Sequence, residues 1–382
     1  MVCLLTDVGP VVRIAPNEVS FSSPDAAIEI FKTGKGFHKT DFYGVFPAPE
    51  HPDIFTETRE SVHAVKKRYA TTPYSMATLQ QSTSRIEATG HLLVSKLDAF
   101  AKDKEICDLG NWMHFYSFDV LGEVAFSKNF GFLEAGIDVD HAIKTIDDSQ
   151  RYSGIVAQIP WVDHLLRRNP LWQFIPFLAN KNALITRTAL GQVEKRKDPQ
   201  GEKVEYKDLL NSLIESQRQH PDALSHDDIF AIAHGAIFAG SDSTASTMQS
   251  FMWNVLADRR MYDKLVQEIL AAEMSEIVSY NEALKLPYFQ VCLKEAMRIS
   301  PAVGLNMTRK VPPGGAEING VKLPGGVAVA INGWVLHRDK GVFGEDADVY
   351  RAERWVENDK EKIRIMDRCM FQVSSPHFDP KA

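Results

Sequence analysis

The chain has 382 residues, 44% of them hydrophobic and 24% charged, a globular composition long enough for one large domain or two small ones. Its formal net charge of −7 argues against a general nucleic-acid binder. The four cysteines, Cys3, Cys107, Cys292 and Cys369, form no C-x-x-C pair or zinc spacing and are too few for a disulfide scaffold, which points to a reducing compartment or a cytosol-facing membrane surface.

The start, Met1-Val-Cys-Leu-Leu-Thr6, is too short for a signal peptide, and no run approaches the ~20 apolar residues of a membrane span. The expectation is a soluble protein or a chain that begins after an anchor. Val11-Val-Arg-Ile-Ala15 and Glu18-Val-Ser-Phe-Ser22 alternate as strands do, with Pro16-Asn17 as a turn between them.

From about Ser61 to about Ser300 the periodicity is helical, for example over Phe115 to Phe126 and Asp208 to Gln217. Polar stretches such as Arg196 to Lys203 read as linkers. His63 and Lys67 share one helical face and can clasp an acidic group, although a solvated basic turn has the same pattern. Ser225 is an N-cap with Asp227 and Asp228 in the first turn, opening a helix from about His226 to about Leu256. Ile229 to Gly240 is apolar or small on nearly every face, as in a helix buried all round.

Within that helix, Ala239-Gly-Ser-Asp-Ser-Thr244 sets an acid and three hydroxyls where they are costly unless satisfied or used. Ser243 and Thr244 can bond back to the carbonyls of Ala239 and Gly240, loosening or bending the helix, and Gly240 admits close approach. A kinked core helix with satisfied polar groups is the competing reading.

Further on, Glu295 and Arg298 share a helix face, and Asp346 to Trp355 brings Arg354 in a loop. A guanidinium–carboxylate network could lock this loop to the helix; a surface ion pair is the plainer alternative. Asn319-Gly320 marks a hairpin within Ala316 to Leu323, and Val327 to Ile331 alternates as a further strand. No stretch looks like a flexible interdomain linker. The reading is therefore one domain over residues 1–382, mainly α with small β-sheets (α+β).

In this order the motifs resemble the cytochrome P450 family over about Gly9 to Gln372. Ala239, Gly240 and Asp242 match the family's A/G-G-x-D/E-T-T/S, with Ser243 in the usual threonine place and Thr244 in the last. Glu295 and Arg298 match E-x-x-R, and Ala352-Glu-Arg-Trp355 matches P-E-R-F/W with alanine for proline. His63 and Lys67 look like W/H-x-x-x-R with lysine for arginine, and Arg309 looks like the propionate-binding arginine. Gly9-Pro-Val-Val-Arg-Ile-Ala-Pro-Asn17 and Val335-Leu-His-Arg-Asp339 are similar to filamentous-fungal members of secondary metabolism, benzoate hydroxylase-like or pisatin demethylase-like.

The resemblance implies a haem-thiolate monooxygenase that inserts one oxygen atom from O₂ into an apolar organic substrate. It implies haem b, electrons from NADPH through a flavoprotein reductase, and the cytosolic face of the endoplasmic reticulum. Asp242, Ser243 and Thr244 would serve proton delivery; His63, Lys67 and Arg309 would hold the haem propionates; Glu295, Arg298 and Arg354 would form the structural network.

The family's F-x-x-G-x-x-x-C-x-G ligand loop has no counterpart. Cys369 has no glycine nearby and lies in the segment preceding that loop, and Cys107 and Cys292 read as core residues. No metal ligand is assigned, and no thiolate-type spectrum is expected of the chain as written. The expectation is a family domain incomplete at both ends, with 373–382 a non-family tail. Gln372 is followed by valine, whose codons begin with GT, which suggests splicing there. The alternative function is a haem-free, non-catalytic relative that binds an apolar ligand or partner.

Overall fold

Alternation at both ends of the sequence and helical periodicity between them recur in a computed structural model of the chain. It describes residues 9–46, 51–169, 171, 184–197 and 208–370. The strands are β1 (Val11–Ala15), β2 (Glu18–Phe21), β3 (His38–Lys39), β4 (Asn306–Lys310), β5 (Ala316–Ile318), β6 (Val321–Leu323) and β7 (Ala328–Asn332). The longer helices are α1 (Pro24–Phe31), α2 (Glu60–Ala70), α3 (Thr83–Asp103), α4 (Leu109–Phe126), α5 (Ala142–Val156) and α6 (Leu184–Lys197). They continue as α7 (Leu209–Gln219), α8 (His226–Ala257), α9 (Arg259–Ala271), α10 (Pro287–Ile299) and α11 (Lys360–Cys369).

The chain divides into two units, one of residues 41–245 and one of residues 1–40 with 246–382. The first is helical. Its core joins Trp112, Phe115 and Phe118 of α4 to Phe132, Leu210 and Leu213, and to Ile229 and Ile237 of α8. A buried acid shapes the turn after α4. Asp119 accepts from the backbone N–H groups of Gly131 at 2.9 Å and Leu133 at 2.8 Å, so a carboxylate caps the chain where it reverses. Gly122 permits the reversal, because a Cβ there would stand 2.3 Å from the Lys128 carbonyl.

The stretch read as a linker from Arg196 begins inside α6. Arg196 is buried and pairs at 2.8 Å with Asp208, the N-cap of α7, while also donating to the Phe126 carbonyl at 2.8 Å. Residues 198–203 of that stretch, and the tail 373–382, lie outside the described residues.

The second unit carries both sheets. β1 and β2 form the expected antiparallel hairpin, and β2 continues parallel to β7 in a five-stranded sheet of order β1-β2-β7-β4-β3. β4, with Arg309, pairs antiparallel with β7 and β3; neither β3 nor β4 announces itself by alternation. β5 and β6 are a separate hairpin whose turn sets Asn319 and Gly320 at φ of 49° and 75°, the left-handed pair that Asn-Gly adopts readily. Among the described residues no helix is long and apolar enough to cross a membrane.

Candidate active site

The central helix α8 starts as its sequence dictates. The Ser225 hydroxyl accepts from the Asp228 N–H at 3.1 Å, and the Asp228 carboxylate accepts from the Ser225 N–H at 2.9 Å. Asp228 also pairs at 2.9 Å with Lys66 of α2, a nearly buried ammonium whose second carboxylate is Glu57 at 3.5 Å. Arg59, first, and Lys66 hold the Glu57 carboxyl at about 2, against the opposing effect of burial.

Further along, the Ser243 hydroxyl donates to the Ala239 carbonyl at 2.8 Å, and Ser241 does the same to Ile237. α8 stays helical through these back-bonds, and Thr244 is exposed. Gly240 is where α4 comes close: a Cβ there would lie 3.2 Å from Leu121. Asp242 reaches two other helices. His114 of α4 lies 3.3 Å from one carboxylate oxygen, and the Gln150 amide of α5 donates to the other at 2.9 Å. The His114 hydrogen bond, the largest influence, holds the Asp242 carboxyl below its ordinary range despite burial.

His63 and Lys67 lie on α2 of this unit. His63 is half-buried, 3.9 Å from Glu60, and Lys67 is exposed; the buried cation of the basic run is its neighbour Lys66. Arg309, in the other unit, donates to the Thr308 carbonyl at 3.0 Å and sits 4.9 Å over the Phe31 ring. A cavity of about 280 Å³ opens beside the start of α8, lined by Val193, Arg196, Ile214, Arg218 and Ile229 among others; no residue of the Ala239–Thr244 motif lines it.

In the second unit Glu295, Arg298 and Arg354 come together, all three fully buried. Arg298 grips Glu295 with two N–H groups at 2.8 and 2.7 Å, the bidentate geometry that gives guanidinium–carboxylate pairs their direction. Arg354 donates to the same carboxylate at 2.9 Å. It opens a four-residue helix, Arg354–Glu357, where a loop was expected. The Arg298 guanidinium also serves the carbonyls of His337 at 2.7 Å, Ala347 at 2.6 Å and Val349 at 3.0 Å. Burial alone would raise the Glu295 carboxyl, but the Arg298 bond and charge outweigh it and the net shift is downward.

Three members of this network are missed by reading for paired ions. The Trp355 indole donates to Glu295 at 2.9 Å, Asp346 pairs with Arg354 at 3.0 Å, and buried His337 donates from Nδ1 to the Arg298 carbonyl at 3.1 Å. The indole follows the second arginine directly in sequence, which is a usable signal. Nothing in the sequence marks His337 as buried.

A cytochrome P450 family model matches residues 3–371, nearly the whole chain. The chain belongs to the cytochrome P450 family. Among its relatives are fungal cytochrome P450 monooxygenases: cicH of Emericella nidulans, 32% identical over 97% of this chain and 76% of its own length; one of Aspergillus terreus, 31% identical over 97% and 77%; and gsfF of Penicillium aethiopicum, 32% identical over 94% and 74%. P450 enzymes are haem-thiolate monooxygenases, and the fold expected from the motifs, mainly helical with small sheets, is the family's.

The described cysteines do not fit the thiolate that P450 haem requires. A ligand sulfur needs an open side on which the iron can approach it. Cys369 is wedged among Val342, Phe343, Trp355 and Met366, and burial pushes its thiol up to about 12. Burial likewise pushes Cys292, on α10, up to about 12, and Cys107 is raised by burial and by Asp108. Cys3 lies outside the described residues.

Proposed function

We propose that this P450 monooxygenase handles protons through Asp242, Ser243 and Thr244 of α8, holds the propionates of haem b with His63, Lys67 and Arg309, and depends on Glu295, Arg298 and Arg354 for its fold. The two units are then parts of one domain over residues 1–382. The substrate class is an apolar small molecule of fungal secondary metabolism. Electrons come from NADPH through a flavoprotein reductase at the cytosolic face of the endoplasmic reticulum. The family match along nearly the whole chain gives the haem-free, ligand-binding reading no separate support.

The observation that carries the proton reading is Asp242: a carboxylate in a helix interior, kept ionised by an imidazole and an amide, next in sequence to a hydroxyl. Such a group, ionised at rest, can accept a proton at a carboxylate oxygen and pass it on. Thr244, exposed on the next position, offers a further hydroxyl.

The test is the coupling ratio, product formed per NADPH consumed. Asp242→Asn keeps the shape of the side chain and removes the carboxylate that accepts and passes a proton. The ratio should fall by about 10²-fold, in the range of a positioned acid–base group, with the melting temperature unchanged. A parental ratio would remove Asp242 from proton handling.

A further inference from the structure

The Ser243 hydroxyl is committed to the carbonyl of Ala239 on its own helix, at 2.8 Å. Both oxygens of Asp242 are taken by other helices, at 3.3 Å by His114 of α4 and at 2.9 Å by Gln150 of α5. His114 is held firmly enough to aim. It is largely buried, its ring lies 5.9 Å from that of Phe118, and Leu121, seven residues on and so on the same face of α4, packs at Gly240. A smaller helix residue than glycine does not exist, and a Cβ at position 240 would press on Leu121.

We propose that His114 is the positioning residue for Asp242: with Gln150 it holds the two carboxylate oxygens toward α4 and α5. The inference rests on the reading of Asp242 as a proton-handling group. Histidine is suited to the task because its ring N–H donates to a carboxylate from a rigid, packable side chain.

The charged surroundings are few. α4 contributes His114. α5 contributes Asp147, with Arg151 and Asp148 beside it. Burial first, and then Asp242, raise the Asp147 carboxyl, while His114 and Arg151 act against them. One imidazole therefore faces two carboxylates. Without it, what remains at Asp242 is burial, which raises its pKa, against the Gln150 bond, which lowers it.

The experiment is a carboxyl ¹³C NMR titration of the full chain, with Asp242→Asn to assign the resonance. Parent Asp242 should titrate below the ordinary carboxylate range. In His114→Leu the midpoint should rise. In His114→Gln, which keeps an N–H donor without the charge, the rise should be smaller; this variant and Gln150→Leu carry the test if the leucine variant does not fold. A shared structural effect would not move one carboxyl selectively. An Asp242 midpoint unchanged in His114→Gln and in whichever of the other variants folds would overturn the proposal.

Failure of the functional reading looks different: Asp242→Asn would keep the parental coupling ratio while the His114 variants still shifted the Asp242 titration.

Discussion

Two charged clusters in this protein are built to opposite ends. Around Glu295 every group is saturated: the carboxylate accepts from Arg298, Arg354, the Trp355 indole and the Arg351 N–H, and neither guanidinium touches solvent. Around Asp242 the acid is partly exposed, at 30%, and has one imidazole and one amide. A saturated buried network has one arrangement and loses heavily if any member goes. A carboxylate with two polar partners and an open side has alternatives. The comparison separates a device that fixes the chain from one that can change state.

The sharpest way to break that comparison is to remove Glu295. Glu295→Ala leaves two arginines buried without their carboxylate, at a cost of about 3–5 kcal/mol, and soluble yield and melting temperature should collapse. Arg354→Ala should do nearly as much, since Glu295 and Asp346 both lose it. Parental melting curves for both would mean that this cluster is no more rigid than the one at Asp242.

Acid should find the same cluster. Burial depresses His337 from 6.5 to about 4, and its Nδ1 proton is committed to the Arg298 carbonyl. The folded chain thus keeps His337 neutral where the unfolded chain would charge it. Stability from this residue is full above about pH 6.5 and declines as pH falls toward 4, by roughly 3 kcal/mol across that window. Glu295, with its folded pKa below 4.5, adds a loss in the same direction only at still lower pH. Urea midpoints measured from pH 7 to 4 should show the slope, and His337→Gln should flatten it.

These clusters also mark how far the sequence could be read. The hairpins, the capped central helix and the E-x-x-R pair all follow from local rules, because turn residues, caps and i, i+3 spacing act over a few positions. His114, Gln150 and His337 obey no local rule. Each matters through a partner 39 to 128 residues away, and a lone histidine or glutamine on a helix carries no trace of it. Lys66 shows the limit most plainly: the basic run around it is visible, but which lysine is buried depends on where Asp228 and Glu57 arrive. The strand carrying Arg309 was missed because its inward residues, Asn306, Met307 and Thr308, are buried consecutively and do not alternate.

A milder prediction tests whether the α8 side of the comparison has rigid parts of its own. Asp53 seats against α8 at Gly235, where a Cβ would stand 2.2 Å from its carboxylate oxygen. The same carboxylate accepts from the Thr56 N–H at 2.7 Å, so the 53–56 turn is shaped around it. Gly235→Ala should therefore cost about 1–3 kcal/mol through overpacking, read as a lower melting temperature, despite alanine's better helix propensity. A gain in stability would show that Asp53 moves aside freely.

The smallest effect should come from Ser243→Ala, and it divides the two clusters most cleanly. The hydroxyl's bond to Ala239 is a back-bond within one turn, which tends to bend a helix slightly and adds little to its stability. Alanine is also the better helix former. The melting temperature should thus stay within the change expected for about 0.5 kcal/mol, with a slight rise the favoured direction. Nothing comparable could be said of any residue bonded to Glu295. If the hydroxyl takes part in proton handling with Asp242, the coupling ratio should fall in the same variant while stability holds. Loss of coupling without loss of stability would place Ser243 with the adjustable device. Loss of both together would mean that the motif is one more piece of core packing, and the contrast with the Glu295 network would be one of degree only.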